Sequence, residues 1–124
     1  MRLLLDSHAA LWWVDDDGRL SGVARELIAD ASNEVFISVA SLLEIAIKSG
    51  KGKLRPPPGL REQFAAEGFS ELAVTGDQAW AVADLPLHHR DPFDRLLVVQ
   101  AKLERLVLVT ADRRIAVYGV PTVW

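Results

Sequence analysis

Short apolar runs alternate with helical patterns along this chain. The run Leu3 to Leu5 ends at Asp6 and Ser7, two residue types that favour helix N-caps, and a mainly apolar stretch, Ala9 to Trp13, follows. This pattern predicts a buried strand that enters a helix. Similar patterns predict further strands at 35–38, 71–74, 106–109 and 122–124, and further helices at 21–31, 39–48, 60–67, 77–85, 92–104 and 112–118.

The alternation of strands and helices predicts a single α/β domain over residues 1–124. Strands that are separated by helices pair in parallel through right-handed crossovers, and a parallel sheet is covered by helices on both faces. We therefore expect an α/β/α sandwich around a central parallel sheet of four to five strands. The clear loop is the stretch 50–59, which holds three glycines and three consecutive prolines.

Composition and charge limit the chemistry that is available. Half of the 124 residues are hydrophobic and a quarter are charged, which is typical of a globular domain. The absence of cysteine excludes disulfides and thiolate metal sites, so any metal must be held by oxygen or histidine. The net charge of −3 provides no overall attraction for nucleic acid. The apolar start is too short for a signal peptide or a membrane span, so we expect a soluble, cytoplasmic protein without a membrane partner.

Two acidic residues follow predicted strands. Asp6 comes directly after the first strand, and Asp112 follows the apolar run that ends at Val109, with Thr110 between them. In open α/β sheets, binding sites form at the carboxyl ends of strands, so both acids are site candidates at the same edge. Each acid could equally cap the helix that follows it, and the sequence leaves both interpretations open.

The string HHRDPFDR at 88–95 is the most specific in the sequence. Asp91 is predicted as an N-cap, and Asp94 at the third helical position resembles part of a capping box, which explains Asp94 without any function. The helix that follows is apolar nearly all round, however, so it is predicted to be buried and to hold Asp94 near the strand ends. The two histidines lie in a proline-flanked loop, and we expect them to be exposed and outside the site.

Glu44 lies within a helical stretch that has few other polar groups. One interpretation is a solvated stripe, because Ser41, Glu44 and Lys48 share a helical face and the last two form a favourable i, i+4 pair. The other is a further acid of the site. Several carboxylates at one edge would repel each other and raise each other's pKa unless a cation is bound. Mg²⁺ accepts such oxygen ligands together with substrate phosphates, Mn²⁺ suits the same ligands, and a pair of such ions could serve hydrolysis of a phosphodiester.

Four segments together carry a family resemblance. Asp6 after the first strand, the stretch 37–48, the stretch 88–97 and the stretch 108–114 resemble PIN-domain toxins of the bacterial VapC type, in order and at fitting spacing over nearly the whole chain. The resemblance implies a PIN-domain-like sandwich and a magnesium- or manganese-dependent endoribonuclease that acts as the toxin of a toxin-antitoxin pair. It further implies a cognate antitoxin that also binds DNA, and we expect a homodimer.

The resemblance also implies roles for individual residues. The acidic catalytic quartet would be Asp6, Glu44, Asp94 and Asp112, with Asp6 and Asp94 as direct metal ligands. Supporting roles fall to the hydroxyls of Ser7 and Thr110, while Asp91 is a second acid that could replace Asp94 as the ligand. Basic residues that flank the acids are candidates for RNA phosphate contacts: Arg90, Arg95, Arg113 and Arg114.

Two alternatives compete with this interpretation. A receiver-like phosphoacceptor module has a similar length and acids at its strand ends, but it would need an acceptor Asp after its central strand and a Lys after a later one. The second is a catalytically inactive PIN-like scaffold that only binds.

The adjacent Trp12 and Trp13 cannot share a helical face, so we expect one ring in the core and the other on a partner surface.

Overall fold

A computed structural model describes residues 1–124, which form five strands and seven α-helices. The strands are β1 (Arg2–Leu5), β2 (Glu34–Ser38), β3 (Ser70–Leu72), β4 (Val107–Val109) and β5 (Thr122–Val123). The helices are α1 (Ser7–Val14), α2 (Gly22–Ala29), α3 (Val39–Gly50), α4 (Leu60–Ala66), α5 (Gly76–Ala81), α6 (Pro92–Glu104) and α7 (Arg113–Ala116). None of the helices is long and apolar enough to cross a membrane.

All five strands pair in parallel in the order β3-β2-β1-β4-β5, which confirms the predicted parallel α/β sheet. The central strand β1 bonds β2 on one side and β4 on the other, with Leu3 opposite both Val35 and Val107. The chain builds β2 and β3 outward from one side of β1 and then adds β4 and β5 on the other. The strand order therefore reverses between β1 and β4, and such switch points are where open α/β sheets bind ligands.

The two faces of the sheet carry separate cores because successive strand side chains point in opposite directions. Leu3 and Leu5 pack in a cluster that includes Ala9 of α1, Ile28 of α2 and Phe64 of α4. Leu4 packs on the other face, with residues of α6 and α7 such as Leu97, Val98 and Ile115. This arrangement makes the three layers of the predicted α/β/α sandwich.

Element boundaries agree with the sequence prediction to within one to three residues in most cases, but the helix predicted at 77–85 is shorter. It ends at Ala81, and a 3-10 turn, Val82–Asp84, replaces its last part. The guanidinium of Arg95 donates hydrogen bonds to the carbonyls of Val82 (3.0 Å) and Leu85 (3.3 Å). A cation on a distant helix therefore binds this turn, which no local pattern reveals.

The tryptophan pair does not divide into one ring in the core and one ring on an exposed surface, as the sequence predicted. Trp13 lies 6.3 Å from Phe69, and Trp12 lies between His8 at 5.3 Å and Trp124 at 5.8 Å, so both rings are half-buried. The prediction was wrong because the carboxyl-terminal residue and the segment before β3 supply a cover for each ring.

A buried polar chain joins the sheet to α6. Gln100, fully buried in α6, accepts a hydrogen bond from the Ser38 hydroxyl at the end of β2. Its amide donates to the carbonyl of Ala73 (3.1 Å) and to Oε1 of Gln78 (3.0 Å). Without Gln100, the Ser38 hydroxyl proton and the Ala73 carbonyl would lose these hydrogen bonds, and buried polar groups are costly to leave unpaired. These hydrogen bonds thus hold α6 in register with β2 and with the segment after β3.

Replacing Gln100 by Ala should lower the free energy of unfolding by about 2–3 kcal/mol, because it leaves buried polar groups unpaired and opens a cavity. Urea denaturation followed by circular dichroism measures the change. Lys102→Ala, at an exposed position of the same helix, is the control and should stay within about 0.5 kcal/mol of the wild type. Equal stability of the Gln100 variant and the wild type would show that the hydrogen bonds of Gln100 contribute nothing to the stability of the fold.

Candidate metal centre

The four predicted acids meet at the switch point between β1 and β4. Asp6 directly follows β1, and its backbone N–H donates to the Val109 carbonyl at 3.1 Å, which ties the ends of β1 and β4 together. Asp112 precedes α7, Asp94 lies in the first turn of α6, and Glu44 lies in the second turn of α3. All four line one cavity of about 130 Å³ that has no hydrophobic lining residue. The complete lining is Asp6, Ser7, His8, Glu44, Lys48, His89, Asp91, Asp94, Asp112 and Arg114.

Asp6 and Asp112 are caps and cavity residues at once. Oδ1 of Asp6 accepts the Ala9 N–H at 2.8 Å, and Oδ1 of Asp112 accepts the Arg114 N–H at 2.9 Å. Oδ2 of Asp112 remains turned towards His89, at 3.1 Å from Nε2. The two interpretations that the sequence left open are therefore compatible, since a carboxylate has two oxygens and a cap uses one of them.

The carboxylates differ in how readily they ionise. Burial raises the pKa of Asp6, although hydrogen bonds from Thr110 and Ala9 oppose this effect. Burial, followed by the negative charge of Asp91, raises the pKa of Asp94 to about 7. The pKa of Asp112 is lowered to about 2, chiefly by its hydrogen bond with the Arg114 side chain. Removing acids from water among like charges produces such upward shifts, and a bound cation would reverse them.

Glu44 is only 6% exposed, so it does not belong to a solvated stripe. The Ser7 hydroxyl donates to its Oε1, and the Lys48 ammonium lies 3.1 Å from its Oε2. The interpretation as an exposed i, i+4 pair was wrong because α3 packs against α1 and α6, which buries Ser41 and Glu44 and leaves only Lys48 partly exposed. Ser7 thus stands where a supporting hydroxyl was predicted. Lys48 is a cavity residue that sequence reasoning did not assign.

Asp91 is the N-cap of α6, as predicted: its Oδ1 accepts the N–H groups of Phe93 (2.8 Å) and Asp94 (3.1 Å). The reciprocal half of a capping box does not form, because the N–H of Asp91 donates to Nδ1 of His89 at 3.1 Å. The carboxylate of Asp94 instead lies 2.9 Å from Nε2 of His89. Capping therefore accounts for Asp91 and leaves the side chain of Asp94 free for the cavity.

His89 was expected to be exposed and is not. Its side chain is only 4% exposed, whereas the neighbouring His88 is exposed as predicted. The hydroxyl of Tyr118 accepts the N–H groups of both histidines, at 3.2 and 3.0 Å, and holds the loop onto the region after α7. Tyr118 is about 30 residues away in the sequence, so the position of His89 between Asp94 and Asp112 depends on a long-range contact.

The four arginines proposed as phosphate contacts separate into two groups. Arg90, Arg113 and Arg114 are exposed near the acids, and Arg114 lines the cavity. Arg95 does not belong with them. Its guanidinium is half-buried and donates hydrogen bonds to the Tyr118 hydroxyl and to four carbonyls, those of Val82, Leu85, Pro86 and His89. The prediction that Arg95 contacts RNA phosphate is therefore corrected: these hydrogen bonds give Arg95 a structural role.

The donor set of this cavity fits a hard divalent cation. Carboxylate oxygens are the ligands that Mg²⁺ and Mn²⁺ prefer, and the cavity is lined by five carboxylates, the four predicted acids and Asp91, and by no hydrophobic residue. The most compact group joins Asp94, Asp112 and His89, whose ligand atoms lie within 4.8 Å of one another. Asp6, predicted as a ligand together with Asp94, lines the same cavity outside this group.

Comparisons with known proteins agree with this fold. The PIN domain family model matches residues 3–121. Ribonuclease VapC22 of Mycobacterium tuberculosis (strain ATCC 25618 / H37Rv) is 34% identical over 128 aligned residues, which cover 98% of each protein. A chain in the crystal structure of VapBC2 from Rickettsia felis bound to a DNA fragment from their promoter has a TM-score of 0.71 at 15% identity, covering 99% of this chain and 98% of that one. The chain therefore belongs to the PIN domain family and resembles its VapC members over its whole length.

Proposed function

We propose that this protein is a divalent-metal-dependent endoribonuclease that acts as the toxin of a toxin-antitoxin pair. The observation that carries the proposal is the meeting of four carboxylates in one small polar cavity at the switch point of a PIN fold. The 34% identity with a ribonuclease over the full chain supports RNA as the substrate. Magnesium is the proposed cofactor, and manganese suits the same oxygens.

Asp6 and Asp94 are the proposed metal ligands, with Asp112 close enough to Asp94 to join them. A bound divalent cation supplies an activated water and stabilises charge on the leaving oxygen of a phosphodiester. Glu44, fixed by Ser7 and Lys48, places its negative charge at a set position in the cavity wall. The side chain of Thr110 forms a hydrogen bond with Asp6 and accepts the N–H of Asp112 at 3.1 Å, so it contacts two of the acids.

Local positive charge must bring an RNA phosphate to this cavity, because the net charge of the chain is −3. Arg114 and Lys48 lie in the cavity wall, and Arg90 and Arg113 are exposed near the acids. We assign the phosphate contacts to these four residues. These basic residues and the carboxylates of the cavity together favour an RNA phosphate that binds through a bridging cation.

An antitoxin partner is supported by the fold neighbour, whose crystal structure is that of VapBC2 with promoter DNA. The surface of α3 offers a place for a partner. Val39, Leu43 and Ile47 recur every four residues on this helix and are 41%, 54% and 40% exposed. This apolar stripe lies beside Glu44 and Lys48, so a single segment of the antitoxin could cover the stripe and close the cavity. We further propose a homodimer that acts in the cytoplasm, on the family resemblance.

A PIN-like scaffold without activity is the second candidate, and the first experiment below separates it from the nuclease. The receiver-like alternative is not favoured, because the chain belongs to the PIN family.

The first prediction concerns RNA cleavage by the purified protein. Cleavage with magnesium should stop with excess chelator, and Asp6→Asn and Glu44→Gln should each lower the rate on the order of 100-fold by removing negative charge from the site. Asp77→Asn, which changes an exposed acid in α5, is the control and should keep the wild-type rate. Full activity in both cavity variants would show that the cleavage does not arise at this cavity, and the nuclease proposal that rests on it would fail. A wild type that binds metal but cleaves nothing would favour the scaffold.

The second prediction separates the two roles weighed for Asp94. Burial raises the pKa of Asp94 to about 7, so ionising this group destabilises the metal-free fold above the unfolded-state pKa of about 4. Asp94→Asn should therefore raise the free energy of unfolding near pH 7 in chelator by up to about 4 kcal/mol, since each tenfold change in the ionisation constant corresponds to about 1.4 kcal/mol. The advantage should fade as the pH falls from about 7 to about 4, below which the acid is protonated in both states.

Urea denaturation across this pH range measures the effect, and repeating it with magnesium adds a second readout. Magnesium should stabilise the wild type by ligand linkage and the Asp94→Asn variant much less. Asp91→Asn is the matched control, because Asn caps helices as well as Asp and the magnesium response should survive. Equal magnesium responses in the wild type and the Asp94 variant would show that Asp94 is not a ligand.

The third prediction concerns the partner. Co-expression with the adjacent open reading frame should yield a complex that inhibits RNA cleavage, and Leu43→Asp should weaken that complex about tenfold or more by placing a charge in an apolar contact. Leu103→Asp is the control, since Leu103 is similarly exposed near the far end of α6. If the adjacent reading frame produces neither a complex nor inhibition, the proposed toxin role fails, whereas the proposed ribonuclease activity is unaffected.

A further inference from the structure

His89 is held from several directions although it belongs to a loop. Its backbone N–H donates to the Tyr118 hydroxyl at 3.0 Å, and its carbonyl accepts a bond from Arg95 at 3.3 Å. Its imidazole accepts the Asp91 N–H at Nδ1, 3.1 Å away, and its side chain is 4% exposed. The ring therefore has one defined place and one defined orientation in the cavity wall.

These contacts determine which nitrogen of His89 carries the proton. A backbone N–H can only donate, so Nδ1 must offer its lone pair to Asp91, and in a neutral imidazole the proton then resides on Nε2. Nε2 lies 2.9 Å from Oδ2 of Asp94 and 3.1 Å from Oδ2 of Asp112. One N–H therefore serves two carboxylates, one in α6 and one in the turn before α7.

We propose that His89 is a positioning residue that holds the carboxylates of Asp94 and Asp112 together for cation binding through its shared Nε2–H. This inference rests on the metal site of the proposed function. Without a shared donor, two like charges carried by α6 and by the turn before α7 would move apart. Donors that orient metal ligands from behind commonly matter for affinity almost as much as the ligands themselves.

Direct ligation by His89 is the competing arrangement, and the geometry disfavours it. A nitrogen that carries a proton has no lone pair for a cation. To bind a metal, Nε2 would have to lose its proton, and the Asp91 N–H opposite Nδ1 prevents the proton from moving there. Ligation would thus require an imidazolate or a displaced loop.

Two substitutions at this position separate the contacts of the ring. In His89→Asn, the amide oxygen can take the place of Nδ1 and still accept the Asp91 N–H, but no group reaches the two carboxylates. In His89→Gln, the longer side chain carries an amide N–H to about the position of Nε2. Titration calorimetry with Mg²⁺ and with Mn²⁺ should show affinity about 10- to 100-fold weaker for the Asn variant, with a large part recovered in the Gln variant. His88→Asn, at the exposed neighbour, should bind as the wild type does.

Nitrogen NMR of histidine-labelled wild-type protein at mildly alkaline pH provides a readout that does not depend on any variant folding. His89 should show a protonated Nε2 and an unprotonated Nδ1, and the pattern should persist when Mg²⁺ is added. A protonated Nδ1, or loss of the Nε2 proton on adding Mg²⁺, would overturn the inference.

The calorimetry also distinguishes this failure from failure of the proposed function. Wild-type affinity in a folded His89→Asn variant would overturn the role of His89 alone. A wild type that binds neither ion would overturn the metal dependence in the proposed function, and the inference with it.

Discussion

The placement of neighbouring carboxylates in a partly buried cavity, where they are desolvated and repel one another, is the constraint on which the rest of this structure depends. Asp6, Glu44, Asp94 and Asp112 line a cavity of about 130 Å³, where little water screens their charges. The chain moderates this repulsion with its own donors. Ser7 and Lys48 bind Glu44, Arg114 binds Asp112, and His89 serves both Asp94 and Asp112. Burial, followed by the charge of Asp91, still raises the pKa of Asp94 to about 7.

The fold supplies the rigidity that this arrangement requires. Each acid comes from a different element: the end of β1, α3, the start of α6 and the turn before α7. The central strand β1 is bonded on both sides and fully buried on both faces from Leu3 to Leu5, so the position of Asp6 is well determined. Helix α6 is anchored by the buried Gln100 near its middle and by Arg95 near its start. These contacts tie α6 to β2, to the segment after β3 and to the turn after α5.

Several residues serve folding and the site at once. Asp6 and Asp112 cap α1 and α7 and face the cavity, so the helix that follows each acid also favours its ionised form. Asp91 caps α6 with its carboxylate and orients His89 with its N–H. A substitution at such a position alters local stability and site geometry together. The amide variants proposed for Asp91 and Asp94 separate the two effects because they retain shape while they remove charge.

The sequence by itself determined the features that depend on neighbouring residues. Apolar runs, cap residues and the prolines predicted the parallel sheet, nearly all the elements and the N-cap at Asp91, because hydrophobic periodicity and capping are local properties. The four acids followed from their places after strands and within apolar helices. Only the tertiary structure decided the burial of His89, the structural role of Arg95 and the covering of Trp12 and Trp13. These outcomes depend on Tyr118, Phe69 and Trp124, which lie far away in the chain and approach only when the sheet forms, so no local pattern encodes them.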